Sequence, residues 1–198
     1  ELDFKAPEDP LLFLKAPATL TGHKGLCAYP EGAAHVHYEG ELVVVIGRPA
    51  RKLDRAEALR YVSGYTIAND YAVRDYLENF YRPNLRVKSR DCLTPLGPWI
   101  VDAAEIEDPH SLSIRTYVNG ELGQEGSTRD MLFDIPALLA HVTSFMTLKP
   151  QDMILTGTPK GISRVVPGDE VVVEVERIGR LASRMVSESS RATEKGGE

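Results

Sequence analysis

The sequence predicts a strand-rich α+β fold with a few short peripheral helices, on three observations. Leu42-Val43-Val44-Val45-Ile46 is an all-apolar, largely β-branched run stopped by Gly47, the composition of a strand covered on both faces. Ser113 to Val118 alternates with period two and runs into Asn119-Gly120, the favoured pair for a type I′ hairpin turn before Glu121-Leu122 returns. Only one segment reads firmly as a helix, Ile135 to Met146. Asp134 is its N-cap, Pro136 falls in the tolerant first turn, and Leu138, Leu139, Val142, Phe145 and Met146 line one side.

The remaining elements follow in chain order. Leu11 to Lys15 reads as a short strand closed by Ala16-Pro17. Thr21 to Gly40 holds four glycines among polar residues and is expected to be a long ordered loop or an active-site cover. Leu42 to Ile46 should then be central in a sheet. Asp54 caps a short helix over Arg55 to Val62, where Ala56, Leu59 and Val62 recur at helical spacing, and Asp70 to Phe80 is expected to form a second. After the turn-rich Thr94-Pro95-Leu96-Gly97-Pro98, strands are expected at Trp99 to Val101, Met153 to Thr156 and Asp169 to Ile178. Residues 1–186 make one domain, and the polar stretch 187–198 is expected to be a disordered tail.

Composition narrows the function classes. A chain of 198 residues that is 42% hydrophobic can bury one sizeable core. Its formal net charge of −6 is spread without a basic block, which argues against nucleic acid as a partner. The longest apolar run, Leu42 to Ile46, is far short of the roughly 20 residues that cross a bilayer. No charged-then-apolar leader opens the sequence, so a cytoplasmic protein with no membrane partner is expected. Cys27 and Cys92 show no CxxC spacing and read as free thiols.

Glu39 and Glu41 immediately precede the apolar strand. Side chains two apart on a strand point to one side, so both carboxylates share a face. Two like charges at the mouth of a buried strand are costly unless a cation or protons compensate. Asp70 can add a third carboxylate, and three hard oxygen ligands suit Mg²⁺, Mn²⁺ or Ca²⁺ rather than zinc. An ExE pair by itself is more often a solvated loop pair.

The surrounding residues make the pattern specific. His37-Tyr38-Glu39-Gly40-Glu41-Leu42-Val43-Val44-Val45-Ile46-Gly47 resembles the metal-binding strand of the fumarylacetoacetate hydrolase family. Gly64-Tyr65-Thr66-Ile67-Ala68-Asn69-Asp70-Tyr71-Ala72-Val73-Arg74-Asp75 resembles the next block of that family, whose first Asp completes the metal site and whose Arg faces substrate. Lys88 with the residues through Pro98 resembles the family's Lys block, and Leu155-Thr156-Gly157-Thr158-Pro159-Lys160-Gly161 its late Thr-containing loop. The matches come in family order over roughly residues 10 to 182. The resemblance implies a mixed β-roll, a homodimer, and a cation, Mg²⁺ first with Mn²⁺ or Ca²⁺ as alternatives, held by Glu39, Glu41 and Asp70. Within the family, Phe13 to Pro17 and Asn69 to Lys88 look closest to enzymes of homoprotocatechuate degradation.

That likeness implies a small-molecule substrate, an unsaturated 2-oxo dicarboxylic or tricarboxylic acid, decarboxylated or isomerised through a metal-stabilised dienolate. Lys88 and Arg74 are the implied catalytic residues, Lys88 stabilising the developing charge. Thr158 or the NH groups around Gly157 would hold the C1 carboxylate, Arg74 and Arg82 the distal one, and Tyr71 would touch substrate. Hydrolytic members carry an NYxxHxxE segment upstream of the strand matching Leu11 to Lys15, in a register that falls before residue 1. Leu77 stands where hydrolases of fumarylacetoacetate tend to carry Gln. The expectation is therefore chemistry that needs no activated water. An acylpyruvate or fumarylpyruvate C–C hydrolase is the alternative reading, and a non-catalytic metal-stabilised binding protein the second. His37 on the ligand strand and His23 in the expected cover loop are the histidines nearest the chemistry, as ligand or proton carrier.

Overall fold

The computed structural model describes residues 7–77 and 85–190. Its strands are β1 (Leu20–Thr21), β2 (Gly25–Tyr29), β3 (Val36–His37), β4 (Gly40–Ile46), β5 (Val62–Asn69), β6 (Ala72–Val73) and β7 (Thr94–Asp102). There follow β8 (Ser113–Val118), β9 (Glu121–Ser127), β10 (Met153–Leu155), β11 (Arg164–Val165), β12 (Glu170–Val175) and β13 (Gly179–Ser187). The α-helices are α1 (Leu85–Lys88) and α2 (Ile135–Phe145).

One five-stranded sheet has the order β1-β7-β5-β4-β10, the other β2-β13-β12-β8-β9, and β11-β3-β6 form a small third sheet. Pairing is mixed, parallel at β1/β7 and β2/β13 and antiparallel elsewhere. The apolar run explains β4, every residue of which is buried. It lies in the interior of its sheet between β5 and β10. Leu42, Val44 and Ile46 of β4 join Ile67, Ile114, Val173, Val175, Leu181 and α2 in the main core. Each such side chain contributes about 1.5–3 kcal/mol on leaving water. A second cluster, with Cys27, Tyr38, Tyr71, Val165 and Met185, backs the small sheet.

Several expectations hold. Asp134 caps α2 by accepting from the Ala137 N–H at 2.8 Å, and Asp54 caps the 3-10 helix Arg55–Tyr61. Asn119 and Gly120 take φ of 52° and 86°, the doubly left-handed turn that a two-residue hairpin demands. Neither Cys27, which is buried, nor Cys92 joins a disulfide among the described residues.

Others are corrected. Leu11 to Lys15 forms no strand, since no strand pairs with it among the described residues, and Lys15 reaches inward to an ion pair with Asp70. Thr21 to Gly40 is not one loop, since β2 runs through it beside β13 and β3 faces β6. Within Asp70 to Phe80 the chain forms β6 and a 3-10 turn over Arg74–Tyr76, while residues 78–80 fall outside the described residues. Phe145 is exposed and meets the His141 ring edge-on, so it leaves the buried face of α2. The strand expected at Asp169 to Ile178 is shorter, and a further strand, β13, extends to Ser187, inside the expected tail; residues 191–198 lie outside the described residues.

Candidate metal centre and active site

The register of β4 on β5 builds the site. Gly40 pairs with Asn69 and Glu41 with Ala68, so the next residues outward, Glu39 and Asp70, meet where the ladder ends. The Asp70 N–H donates to the Glu39 carbonyl at 2.9 Å, and the Glu39 N–H donates to Asn69 Oδ1 at 2.9 Å. Glu39, Glu41 and Asp70 each bring a carboxylate oxygen within 4.8 Å of the other two, all buried. The fold thus brings the three expected carboxylates together.

Cations of the chain surround this cluster. Lys88 Nζ lies 2.5 Å from Glu39 Oε2 and 2.8 Å from Asp70 Oδ2, and it also reaches the Asp70 carbonyl at 3.1 Å. Arg74 donates to Glu39 Oε1. Lys15 donates to Asp70 Oδ1 at 2.5 Å and to the Lys88 carbonyl. Both oxygens of Glu39 and of Asp70 therefore have cationic partners. Glu41 differs: its Oε2 accepts from the Gly157 N–H at 2.6 Å, and no ion pair reaches it among the described residues.

The titration of these groups follows from that arrangement. Burial, together with the neighbouring charges of Asp70 and Glu39, pushes the Glu41 carboxyl up to about 8, only partly offset by Lys88 and the Gly157 N–H. Burial opposes the charge on Lys88, but Glu39, Asp70 and Glu41 outweigh it and hold its ammonium above the usual lysine range. Three buried carboxylates in reach of one another, one of them, Glu41, without an ion pair among the described residues, are a donor set of hard oxygens, which fits a divalent cation such as Mg²⁺ or Mn²⁺.

The other expected residues divide. Arg74 and Lys88 join the cluster. Thr158 stands close to it, its hydroxyl donating to the Gly40 carbonyl at 3.0 Å and accepting from Gln124 Nε2 at 2.8 Å. Gly157 serves indirectly, by fixing Glu41. Tyr71 is wholly buried and packs in the second core cluster, its hydroxyl 3.2 Å from Ser183. Arg82 lies outside the described residues. No histidine belongs to the ligand group among the described residues. His37 is half-buried, and burial and the Arg74 charge hold its imidazole below the usual range. His23 accepts from the Ala182 N–H at the edge of β13.

Sequence reading missed Lys15, Asn69 and Gln124. Lys15 ends an apolar run and Gln124 sits in a plain hairpin strand. Their partners lie 55 and 84 positions away, beyond any local pattern.

The fumarylacetoacetate (FAA) hydrolase C-terminal profile matches residues 1–186. The chain is 62% identical over 190 residues to a 4-hydroxyphenylacetate degradation bifunctional isomerase/decarboxylase of Escherichia coli, covering 96% of this chain and 44% of that protein. It thus spans less than half the length of such curated relatives. Among solved structures, 2-hydroxyhepta-2,4-diene-1,7-dioate isomerase from Mycobacterium marinum superposes with a TM-score of 0.87 at 40% identity, over 92% of this chain and 71% of that one. Maleylpyruvate hydrolase from a Sphingobium species, in complex with manganese(II) and pyruvate, superposes with a TM-score of 0.81 at 35% identity, over 88% and 64%. No helix among the described residues is long and apolar enough to cross a membrane.

Proposed function

The chain belongs to the fumarylacetoacetate hydrolase family, and from that premise we propose that it decarboxylates and isomerises an unsaturated 2-oxo di- or tricarboxylic acid of aromatic-compound catabolism. The substrate that fits best is 5-oxopent-3-ene-1,2,5-tricarboxylate, with 2-hydroxyhepta-2,4-diene-1,7-dioate as its product and the second substrate. The working form in this reading is a cytoplasmic homodimer that uses Mg²⁺. The observation that carries the reading is the cluster of Glu39, Glu41 and Asp70 with Lys88 spanning two of its members.

A divalent cation held by these carboxylates supplies Lewis-acid polarisation of the 2-oxo carbonyl. Lys88 brings a fixed positive charge to the oxygen on which negative charge grows, and its burial strengthens the effect. When the bond to the leaving carboxylate breaks, its electron pair moves through the alkene into the carbonyl, giving a dienolate and CO₂. Returning a proton at another carbon shifts the double bond, which joins the two activities at one site. Thr158 binds the C1 carboxylate through its backbone N–H, since its hydroxyl is engaged with Gln124 and Gly40. Arg74 offers a guanidinium to the distal carboxylate.

The test follows ultraviolet loss of the conjugated tricarboxylate with Mg²⁺ or with EDTA, and identifies products by mass spectrometry. Mg²⁺-dependent CO₂ release, abolished by EDTA and by Glu41→Ala, is the expected result. No turnover by a folded, metal-loaded protein sinks the proposal. Release of pyruvate from an acylpyruvate would put C–C hydrolysis in its place.

A further inference from the structure

Gln124 is a neutral amide on β9 with 2% of its surface exposed, and it touches none of the ionised groups described above. Its side chain nevertheless joins the metal strand to the loop that carries Thr158. Oε1 accepts from the Gly40 N–H at 3.3 Å and from the Thr116 hydroxyl at 2.8 Å. Nε2 donates to the Pro159 carbonyl at 2.7 Å and to Thr158 Oγ1 at 2.8 Å. Chemistry fixes this orientation. A peptide N–H can only donate and a carbonyl can only accept, so a flipped amide would face donor to donor at Gly40 and acceptor to acceptor at Pro159.

The same logic orients Thr158. Its oxygen receives a hydrogen from Gln124, so its own hydrogen goes to the Gly40 carbonyl at 3.0 Å. A closed ring results: Gly40 N–H to Gln124, Gln124 to Thr158, and Thr158 back to Gly40 C=O. Gly40 is the residue between Glu39 and Glu41, and its Cα is packed so closely that an added Cβ would meet Thr116 Oγ1 at 2.4 Å. Across the ring, Gly157 and Gly161 close the loop at φ of 93° and 102°, conformations that glycine adopts without strain. Tyr38 holds the Gly161 carbonyl at 2.8 Å, and Gln124, with the Thr158 hydroxyl, ties the middle of the loop to the metal strand.

We propose that Gln124 is a positioning residue, which sets the distance between the Thr158 backbone and the Glu39/Glu41 pair and so fits the site to a 2-oxo carboxylate. The inference rests on the 2-oxo-acid reading of the site. Gln124 does not touch the reacting atoms; it acts through the loop.

The experiment measures two affinities on the full chain: Mn²⁺ for the protein, and oxalate, a minimal carboxylate–carbonyl probe, for the Mn²⁺-loaded protein. Gln124→Glu keeps the acceptor for Gly40 and removes the donor to Thr158 and Pro159. Mn²⁺ affinity is expected to stay within about twofold of wild type while oxalate weakens by about tenfold or more, the scale of losing a buried hydrogen bond. Thr158→Val opens the ring one bond further on and should show the same split. The double variant should lose little beyond the larger single loss, because both changes break one ring. Oxalate affinity equal to wild type in Gln124→Glu overturns the proposal. So does a parallel fall of Mn²⁺ and oxalate affinity, the mark of a merely structural role. If Gln124→Glu does not fold, Thr158→Val decides, and wild-type oxalate binding there overturns it. Failure of the unmodified protein to bind Mn²⁺ or oxalate would instead strike the 2-oxo-acid reading and carry this inference with it.

Discussion

The carboxylate corner and the Thr158 loop face the same site but are held by different means. Glu39 and Glu41 flank Gly40, at the head of a strand whose seven residues are all buried, and Asp70 follows β5, the middle strand of its sheet. Backbone ladders on both sides leave the corner little freedom. The loop has no ladder, ends in positive-φ glycines, and takes its place from Gln124, Tyr38 and the Glu41 carboxylate. A centre that concentrates charge needs the rigid support, because displaced like charges are expensive. A loop that admits substrate, as proposed for this one, is better held by bonds that can be remade.

Lys88→Met should separate the two regions most strongly. Turnover is expected to fall by about 100- to 1000-fold with the loss of charge stabilisation. Mn²⁺ should bind more tightly, since the lost ammonium sits on oxygens of Glu39 and Asp70 that a cation also uses. Titration calorimetry reads this directly, and weaker Mn²⁺ binding would mean that Lys88 holds the corner together.

A smaller effect is set by pH. Ionised Glu41 is required for a cation, and its carboxyl is raised from 4.5 to about 8. Below that point cation binding releases a proton, so Mn²⁺ affinity should climb about tenfold per pH unit and flatten above it. For the ion-free protein the sign is opposite. A raised carboxyl contributes stability that is whole below 4.5 and lost as pH rises through about 8. Melting temperatures with and without Mn²⁺ should therefore diverge across that window, and parallel curves would place the titrating group elsewhere.

The smallest contrast uses two glycines. Gly157→Ala and Gly120→Ala both put a Cβ on a positive-φ residue with no atom within 4 Å. Each should cost about 1 kcal/mol, a shift of about 2–4 °C in melting temperature for a chain of this size. Only Gly157→Ala should also raise KM, by severalfold, because it strains the loop that presents Thr158. Equal KM values in both variants would show that the loop tolerates displacement.

What could be read from the sequence follows the same division. The period-two placing of Glu39 and Glu41 before an apolar run, the hairpin at Asn119-Gly120 and the Asp134 cap are local signals, and each is found in the fold. Asp70 and Lys88 were legible through their blocks of neighbours and not through spacing, because register alone decides that Asp70 meets Glu39. β13 hid because Ser183 occupies a buried position that alternation reserves for an apolar residue. Lys15 resembled the end of a strand, and its partners, Asp70 and the Lys88 carbonyl, are set by tertiary packing. The neighbours of Tyr71 in sequence do not reveal that it is wholly buried with its hydroxyl beside Ser183, a placement set by tertiary packing.

The single bond from the Gly157 N–H to Glu41 joins the two regions energetically. One oxygen of that carboxylate senses the loop while the group as a whole belongs to the ligand cluster. Anything that orders the loop, a bound carboxylate included, steadies Glu41 in its ionised form, and an ion that ionises Glu41 strengthens its hold on the loop. Coupling of this kind is reciprocal: the factor by which the ion tightens substrate is the factor by which substrate tightens the ion. A weakly held cation would then be retained best while the enzyme is at work and exchanged most readily when it is idle.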